Sequence, residues 1–463
     1  MRRSASAALG QEVADGFHTT PSLFWKSANQ RVDVGLVLRT RTEYWDAFSD
    51  DSDAFTGTRT RLRAQYSLRE TLFVVGELQD VRLNGMASDA SGLERVYRSA
   101  NDADSHANGD DVRQLYAELR PTPTSFVRAG RMDVKLGQEV LYPEPDWRYL
   151  KTARLGERLV GTVGWSQSER AYDGASAGWA VAGTQLYGFA ARPTTGIFAV
   201  DSAYRPLDGI SLGGASVTAK RGTLAQHGEL SVFGLYYDDD RATEDGGLPN
   251  GLDVQTYGAS WLSIHPIGPG KLDVLLFGAV QVGDYDDLDQ RASAALVELG
   301  YQFPDVWGKP WLRIGLNVAS GDGDPGDDDH GTFFNILPTN HLYYGFADQL
   351  AFQNVEDWFV QLRLAPHPRL GLNLFVHQFR LQNSNDARYS GTGAFNKDAF
   401  GYAAQASRGY AHVGTEYDVV ATLALHRTVS LELGYAFLDG GALFDPMASQ
   451  DVHFGYAALE LKY

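Results

Sequence analysis

The 463-residue chain contains no cysteine, which excludes a disulfide framework and a thiolate metal site. It also lacks any apolar run of about 18 residues, so the sequence offers no membrane-spanning helix. The amino terminus, MRRSASAALG, carries basic residues without the apolar core that a secretory signal requires. If this chain spans a membrane, it must therefore do so with strands rather than with a helix.

Lysine is scarce, and positive charge is carried almost entirely by arginine. Only eight of the 40 basic residues are lysines, and the remaining 32 are arginines. The net charge of −18 argues against nucleic-acid binding. The acidic residues crowd into loop-like runs at 49–53, 238–245, 284–289 and 322–329, whereas most arginines lie elsewhere.

Apolar and polar residues alternate with a period of two along much of the chain, which predicts β-strands. Such segments lie at 58–68, 271–283, 309–319, 354–366, 410–420 and 427–438. The last residues, 451–463, alternate in the same way and end on Tyr463. Segments of this length suit tilted strands that cross a bilayer, which need about 9–11 residues.

The connections between these segments divide into a short set and a long set. Tight turns rich in Pro, Gly and Arg occur at 120–125, 265–270, 303–310, 365–369 and 425–428. Long polar connections occur at 84–110, 132–171, 320–353, 382–409 and 439–451. A soluble sandwich would also alternate, but its connections would not divide this way. The pattern predicts a closed antiparallel transmembrane β-barrel with short periplasmic turns and long extracellular loops.

The number of strands follows from counting inward from both ends. Ten strands are predicted from residue 225 onward and seven up to about residue 191. Because both termini are expected in the periplasm, one strand must lie between 192 and 224, which gives 18. We expect an all-β barrel over 31–463 and a periplasmic segment over 1–30. The protein is then expected in the outer membrane of a Gram-negative bacterium, with its signal peptide already removed.

Arginines recur on the inward face of the first two predicted strands, at Arg39, Arg41, Arg59, Arg61 and Arg63. Further inward candidates are Arg120, Arg128, Arg313 and Arg363, together with the acids Glu43, Glu77, Glu118, Asp357, Glu416 and Asp418. A guanidinium group binds carboxylates through two parallel hydrogen bonds and stays charged. A row of them could select anions, or the arginines could simply pair with acids such as Glu43 and Glu77 to stiffen the wall.

One long connection carries a distinctive motif. After GRMDVKLGQEVLYPE at 130–144, the segment at 163–174 reads VGWSQSERAYDG. It resembles the pattern V-x-W-x-Q-x-E-x-x-[FY]-D-[GA] of the alginate-export family of outer-membrane porins, through residues that include Trp165, Gln167, Glu169 and Asp173. A second stretch, GELQDVRLNG at 76–85, is similar to the family's G-E-x-x-D-x-R segment. The resemblance extends over roughly 31–463.

This resemblance implies an 18-stranded monomeric barrel with an electropositive constriction that passes a polyuronate. The family segment often has Arg and Asn where this chain has Ser166 and Ser168, and Arg170 is expected to compensate in part. The first functional hypothesis is therefore passive outward passage of an anionic polysaccharide, alginate or a similar polyuronate. The second is a substrate-selective uptake porin for small organic anions or other nutrients.

The sequence gives no support to an enzyme or a dedicated cofactor site. It contains no G-x-S-x-G, H-E-x-x-H or comparable metal-ligand spacing. The acidic run at 322–329 has the oxygen density that calcium favours but lacks a closing Glu, so at most a loosely bound Ca²⁺ is expected there. The expected partners are the polysaccharide, membrane lipid and lipopolysaccharide, and periplasmic export machinery.

Overall fold

A single closed sheet dominates the computed structural model, which describes residues 23–48, 52–398, 400–444 and 450–463. Eighteen antiparallel strands form the barrel. They are β1 Gln30–Ala47, β2 Asp53–Leu68, β3 Leu72–Asn84, β4 His106–Thr122, β5 Ser125–Met132, β6 Tyr172–Val181, β7 Thr184–Pro193, β8 Ile210–Ala219, β9 Gly228–Asp239, β10 Leu252–Ile267, β11 Gly270–Tyr285, β12 Leu288–Gln302, β13 Trp311–Ala319, β14 Val355–His367, β15 Leu370–Arg380, β16 His412–His426, β17 Val429–Gly440 and β18 Val452–Lys462.

The barrel closes where the first strand meets the last. β1 pairs with β18 from Val37 opposite Lys462 to Ala47 opposite Val452, and with β2 along its other edge. Seven strands lie before residue 194, one strand, β8, follows, and ten lie from residue 228 onward. The predicted strand count and its division along the chain are therefore confirmed.

The alternation of side chains sorts the residues between the barrel's interior and its outer wall. In β2, Arg59 and Arg61 are buried, whereas Leu62 between them and Arg63 is 46% exposed. In β1, Arg39 is buried and Leu38 is exposed. In these two strands the apolar residues thus point outward, as a lipid-facing wall requires, and Arg39, Arg59 and Arg61 point inward.

Short turns gather at one end of the barrel, predicted to be periplasmic, and long connections gather at the other. Short elements decorate the connections: helices α1 Gly92–Ser99, α2 Pro145–Leu150 and α3 Gly391–Phe395, a π-helix Lys151–Leu155, two 3₁₀ turns Thr243–Asp245 and Ala442–Phe444, and strands Asp329–His330, Ala387–Arg388 and Gln405–Ala406. None of the described helices is long and apolar enough to cross a membrane.

The predicted segment 1–30 falls mostly outside the described residues, which begin at Leu23. The short strand Leu23–Lys26 pairs with Arg31–Val34 of β1 at the periplasmic end. It pairs with the same edge of β1 as β18 does, beyond the point where β18 ends at Lys462.

Two long connections fold back into the lumen instead of remaining outside it. They are residues 133–171, which we call the plug loop, and residues 320–354, which we call the cap loop. Trp147 and Leu150 of the plug loop and Phe334 and Leu337 of the cap loop are all buried. The sequence pattern predicts both connections at the outer end of the barrel, and the strands that flank them do end there. The pattern does not indicate that the connections turn inward.

The fold predicts which surfaces a thiol reagent reaches in intact cells. Because the chain has no cysteine, single substitutions give an unambiguous signal. Pro325→Cys and Ser105→Cys, exposed at the long-loop end, should be labelled by a membrane-impermeant maleimide. Pro123→Cys, in a short turn, should be labelled only after the cells are lysed. The opposite pattern would invert the topology.

The register predicts how each face tolerates charge. Leu433 lies near the middle of β17 and is 47% exposed on the outer wall. Leu433→Arg should destabilise the barrel by about 2–4 kcal/mol if it lies at the bilayer midplane. Ser430→Arg, which adds the same charge toward the lumen cavity, should have a much smaller effect. Urea unfolding in lipid bilayers measures both, and equal losses would contradict the assigned register.

Candidate functional site

Five arginines cluster on the inner wall of β1 and β2, and we call them the arginine ladder. Arg39 lies directly opposite Arg59, whereas Arg61 and Arg63 continue at alternate positions toward the periplasmic end. Arg41 lies on the other side of Arg39 along β1. Like charges on neighbouring strands repel one another, so this cluster requires compensating groups from elsewhere in the chain.

The plug loop runs through the lumen from one end to the other. It leaves the outer end of β5 and reaches the periplasmic end, where Tyr142 donates a hydrogen bond of 2.6 Å to Glu229 near the start of β9. There Glu144 also pairs with Arg221 at 2.7 Å. The loop then returns to the start of β6, so its motif residues pass beside the arginine ladder.

Glu169 of the motif is the main carboxylate on the ladder. Its Oε1 lies 2.9 Å from both Arg59 Nη1 and Arg61 Nη2, and its Oε2 lies 2.6 Å from Arg113 Nη2. Burial alone would raise the pKa of Glu169, but Arg61, Arg113 and Arg59 hold that pKa far below its ordinary value. These ion pairs therefore persist as the pH falls through the ordinary carboxylate range of about 4.

Backbone oxygens of the motif satisfy the outer part of the ladder. Arg39 donates to the carbonyl of Ser166 at 2.9 Å and to Gln167 Oε1 at 3.1 Å. Arg41 donates to the carbonyl of Trp165 at 2.6 Å, and its guanidinium lies 3.6 Å from the centre of the Trp165 ring. The motif thus fastens the loop to the wall through peptide groups as well as through Glu169.

A glycine in β2 makes room for the motif. A Cβ atom built on Gly57 would lie 2.4 Å from Nε2 of Gln167, closer than real atoms approach. The Gln167 side chain therefore occupies the space that any other residue at position 57 would fill. This notch fixes the position of the loop against the wall independently of charge.

The rest of the motif joins the plug loop to other elements. Trp165 stacks on His341 of the cap loop, with ring centres 4.0 Å apart. Asp173, at the start of β6, forms a two-pronged ion pair with Arg131 at 2.7 and 2.8 Å. Asp173 therefore holds the end of the loop and does not contact the ladder.

A second ion cluster fastens the plug loop to the opposite wall. Glu298 of β12 accepts hydrogen bonds from Arg154 and Arg158 of the loop, each at 2.8 Å, and from Arg313 of β13 at 2.7 Å. Asp273 also pairs with Arg313 at 3.0 Å. Arg313, predicted to line the pore, is thus buried beneath the loop.

The remaining predicted residues lie apart from the ladder. Arg120 and Arg128 both pair with Glu118 near the periplasmic end, at 2.7 and 2.6 Å. Arg363 packs against the ring of Tyr149 in the plug loop. Arg170, expected to compensate for Ser166 and Ser168, is buried and donates a long hydrogen bond of 3.4 Å to the carbonyl of Phe395.

A cavity of 250 Å³ lies between the ladder, the plug loop and the wall of β17 and β18. All five ladder arginines line it, as do Trp165 and Glu169. Its other charged lining residues are Arg113, Lys135, Lys462, Glu77, Asp133, Glu157, Glu432 and Glu460. Ser430 and Lys462 lie at the periplasmic ends of their strands, which places the cavity in the periplasmic half of the lumen.

The contacts of the inward arginines support both interpretations, stiffening of the wall and selection of anions. Arg41 pairs with Glu43 at 2.6 Å, and Arg61 lies 3.8 Å from Glu77, as wall stiffening would require. Arg39, by contrast, directs its hydrogen bonds to neutral oxygens of the plug loop. The ladder therefore contains arginines that are paired with carboxylates. It also contains Arg39, which lines the cavity and, among the described residues, donates its hydrogen bonds to neutral oxygens.

Sequence reasoning missed Arg113, which bridges Glu77 and Glu169. The register of β3 against β4 shifts there, because Glu77 pairs with Gln114 while the next residue, Leu78, pairs with Val112. Arg113 is the extra residue of this bulge, so a strict period of two does not place it inward. No local signal in the sequence marks the bulge.

The described parts of the chain contain no group of three or more His, Asp or Glu side chains arranged to hold a metal ion. Within the acidic run at 322–329, Asp322 accepts the backbone N–H of Asp324, and Asp327 accepts that of Asp329. These carboxylates therefore serve, at least in part, to fold the outer segment of the cap loop.

Comparison with known proteins gives a family match for the sequence and similar barrels among solved structures. A sequence model of the family described as Alginate export matches residues 30–457, whereas curated protein sequences give no significant match. Among solved structures, the outer membrane protein OpdK of Pseudomonas aeruginosa superposes with a TM-score of 0.57 at 12% identity, covering 93% of this chain and 99% of that chain. OpdK with vanillate gives 0.58 at 12%, covering 93% and 98%. Acinetobacter baumannii OccAB4 gives 0.56 at 7%, covering 93% and 98%.

The buried cluster around Glu298 predicts a large stability effect. Glu298→Gln would leave Arg154 and Arg158 buried without their carboxylate, a change that costs about 3–5 kcal/mol in buried pairs. Urea unfolding of the refolded barrel, followed by tryptophan fluorescence, measures this loss. Asp289→Asn, in an exposed pair with Arg291, is the control and should cost less than about 1 kcal/mol. Similar losses for the two variants would show that the cluster does not hold the plug loop.

Proposed function

This chain belongs to the alginate export family, and from that premise we propose that it is an outer-membrane channel that passes a polyuronate outward. The observation that carries the proposal is the cavity in which five arginines of one wall face the plug loop. A polyuronate presents one carboxylate per sugar. A guanidinium group stays charged at physiological pH and binds an ionised carboxylate through two parallel hydrogen bonds.

The spacing of the ladder suits passage rather than tight binding. Arg59, Arg61 and Arg63 occupy alternate positions of β2, about 6.6 Å apart at the rise of a strand. A carboxylate can be transferred between neighbouring guanidinium groups without any one of them holding it strongly. Conduction requires several weak sites, because a single deep one would trap the chain.

The position of the cavity supports loading from the periplasm. Its lining includes Ser430, Lys462 and Tyr463 at the periplasmic end, and its outer boundary is the motif at Gly164 and Trp165. A polymer synthesised in the cell would meet the ladder before it meets the motif. We therefore propose outward transport driven by supply of the polymer, with export machinery as the periplasmic partner.

The departure from the family motif bears on which polymer is carried. Ser166 contributes its backbone carbonyl to Arg39 and Arg59, and its hydroxyl donates to the carbonyl of Val163. Where relatives have an arginine, this chain thus has a group that supplies structure but no charge. We infer a polyuronate whose charge density differs from that of the family's usual cargo.

A second candidate is uptake of small organic anions. The cavity beside the ladder has a volume of 250 Å³, which is enough to hold a small carboxylic acid. OpdK, which shares the fold at 12% identity, has been solved with vanillate, a small aromatic acid. Permeation measurements with monomeric acids and with oligouronates separate the two candidates.

Removing a ladder charge should reduce anion selectivity. Arg39→Gln deletes a cation whose hydrogen bonds, among the described residues, go to neutral oxygens of the loop. The reversal potential in a salt gradient should therefore shift toward cations. Current block by oligouronate should weaken in the same variant. Arg82→Gln, an exposed pair partner of Asp80 on the outer wall, is the matched control and should leave both quantities unchanged. A wild-type pore that prefers cations and ignores uronates would overturn the export proposal.

A further inference from the structure

A groove crosses the outer wall of the barrel over β10 to β13, on the side that faces away from the lumen. Its volume is 410 Å³. Tyr257 of β10 and Val280 of β11 line it, and each of these side chains is 52% exposed. Leu275 and Phe277, which alternate with the outward residues of β11, are buried. The groove therefore opens on the surface that faces the membrane.

Small side chains form the floor of the groove. Gly278 of β11 lies opposite Ala295 of β12, and Ala295 lies opposite Val318 of β13. A Cβ atom built on Gly278 would have its nearest neighbour, the carbonyl oxygen of Ala294, 4.0 Å away, so the space in front of this glycine is open. An open groove forfeits dispersion contacts along its lining unless a chain occupies it.

The polarity of the groove changes along its length. Its outer end is lined by Ser293, Ser320 and Gln382. Ser320 follows the outer end of β13, and there Gln382 accepts a hydrogen bond of 3.0 Å from the backbone N–H of Gly321. The glycine and alanine floor, nearer the bilayer midplane, is apolar. A lipid of the outer leaflet has the same order of groups, because its headgroup lies at the surface and its acyl chains extend toward the midplane.

A cation lies beyond the polar end of the groove. Arg291 is two positions from Ser293 along β12, so the two side chains share the outward face. The Arg291 side chain is 63% exposed and pairs with Asp289 at 2.8 Å and with Asp329 at 3.2 Å. A guanidinium group binds a phosphate through two parallel hydrogen bonds, as it binds a carboxylate. The groove thus combines an apolar floor with a phosphate-binding group at its polar end.

We propose that this groove is a binding site for lipid A, the phosphorylated lipid of the outer leaflet. One acyl chain lies over Gly278 and Ala295, and a phosphate of the headgroup reaches Arg291. The carboxylates of Asp289 and Asp329 would repel that phosphate, so binding depends on Mg²⁺, which carboxylates and phosphates bind together. A ligand that binds only the folded barrel stabilises it. The site does not depend on what the pore carries.

Native mass spectrometry is the test, with the refolded barrel released from detergent micelles that contain purified lipid A and Mg²⁺. The wild type should retain one lipid A. Gly278→Phe should lower the apparent affinity for lipid A about tenfold, because the ring takes the place of the acyl chain.

Gly76→Phe is the matched control. Gly76 lies between the exposed Val74 and Leu78 on the outward face of β3, and a Cβ atom built there meets nothing within 4 Å. The same ring is therefore added to the same kind of surface outside the groove. This variant should retain lipid A as the wild type does.

The contact with the headgroup is tested by a second pair of variants. Arg291→Gln should weaken the binding of phosphorylated lipid A several-fold and leave the binding of dephosphorylated lipid A unchanged. EDTA should have the same selective effect on the wild type. Arg82→Gln, whose native side chain is 66% exposed in a pair with Asp80 on the outer wall, is the control and should bind both lipids as the wild type does.

A stability measurement keeps the proposal testable where the lipid is lost on release from the micelle. Added lipid A should raise the urea midpoint of the wild type and of Gly76→Phe, and it should leave that of Gly278→Phe unchanged. Heat-modifiable migration on gels confirms that each barrel is folded.

Three results would overturn the site. The first is equal retention of lipid A by the wild type and Gly278→Phe, with equal shifts of the urea midpoint. The second is a wild type that binds phosphatidylethanolamine as tightly as lipid A, which would make the groove unselective. The third is a wild-type dimer that Gly278→Phe dissociates, which would assign the groove to a second copy of the chain. An Arg291→Gln barrel that binds phosphorylated lipid A as the wild type does would overturn the phosphate contact.

Discussion

Repulsion among inward-facing arginines is the constraint on which the rest of the lumen depends. Arg39 faces Arg59 across two neighbouring strands, and two further arginines of β2 extend the row. Buried cations are costly unless oxygen atoms accept their hydrogen bonds. The plug loop supplies those oxygens through Glu169 and a run of backbone carbonyls. The wall and the loop therefore stabilise each other, and neither arrangement would be favourable alone.

The barrel could be predicted because its information is local. Alternation in a strand depends on adjacent residues, so Leu62 and Leu433 could be assigned to the outer wall from their immediate neighbours. Residues 192–224 taken alone could be divided into two strands, and only the parity of the two chain ends indicates a single strand there. The structure confirms that strand as Ile210–Ala219. Register and strand number thus followed from simple periodicity and topology.

The interior could not be predicted in the same way. The plug loop has no strand periodicity, and its partners are distant in sequence: Arg39 and Ser166 are 127 residues apart, and Arg158 and Glu298 are 140 apart. The family motif indicated that 163–174 mattered but not that it lies on the ladder. Arg113 sits in a bulge that breaks the alternation. Contacts of this kind depend on how the closed barrel brings separate segments together.

The plug loop also constrains the order in which the two lumen loops can take their places. Its central part lies under the cap loop, where Gly161 donates to the carbonyl of Leu337. Its tip reaches the opposite mouth, against Glu229. A segment that lies between the wall and the cap loop cannot take its place once the cap loop covers it. The cap loop must therefore settle over the lumen after the plug loop, although it lies later in the chain.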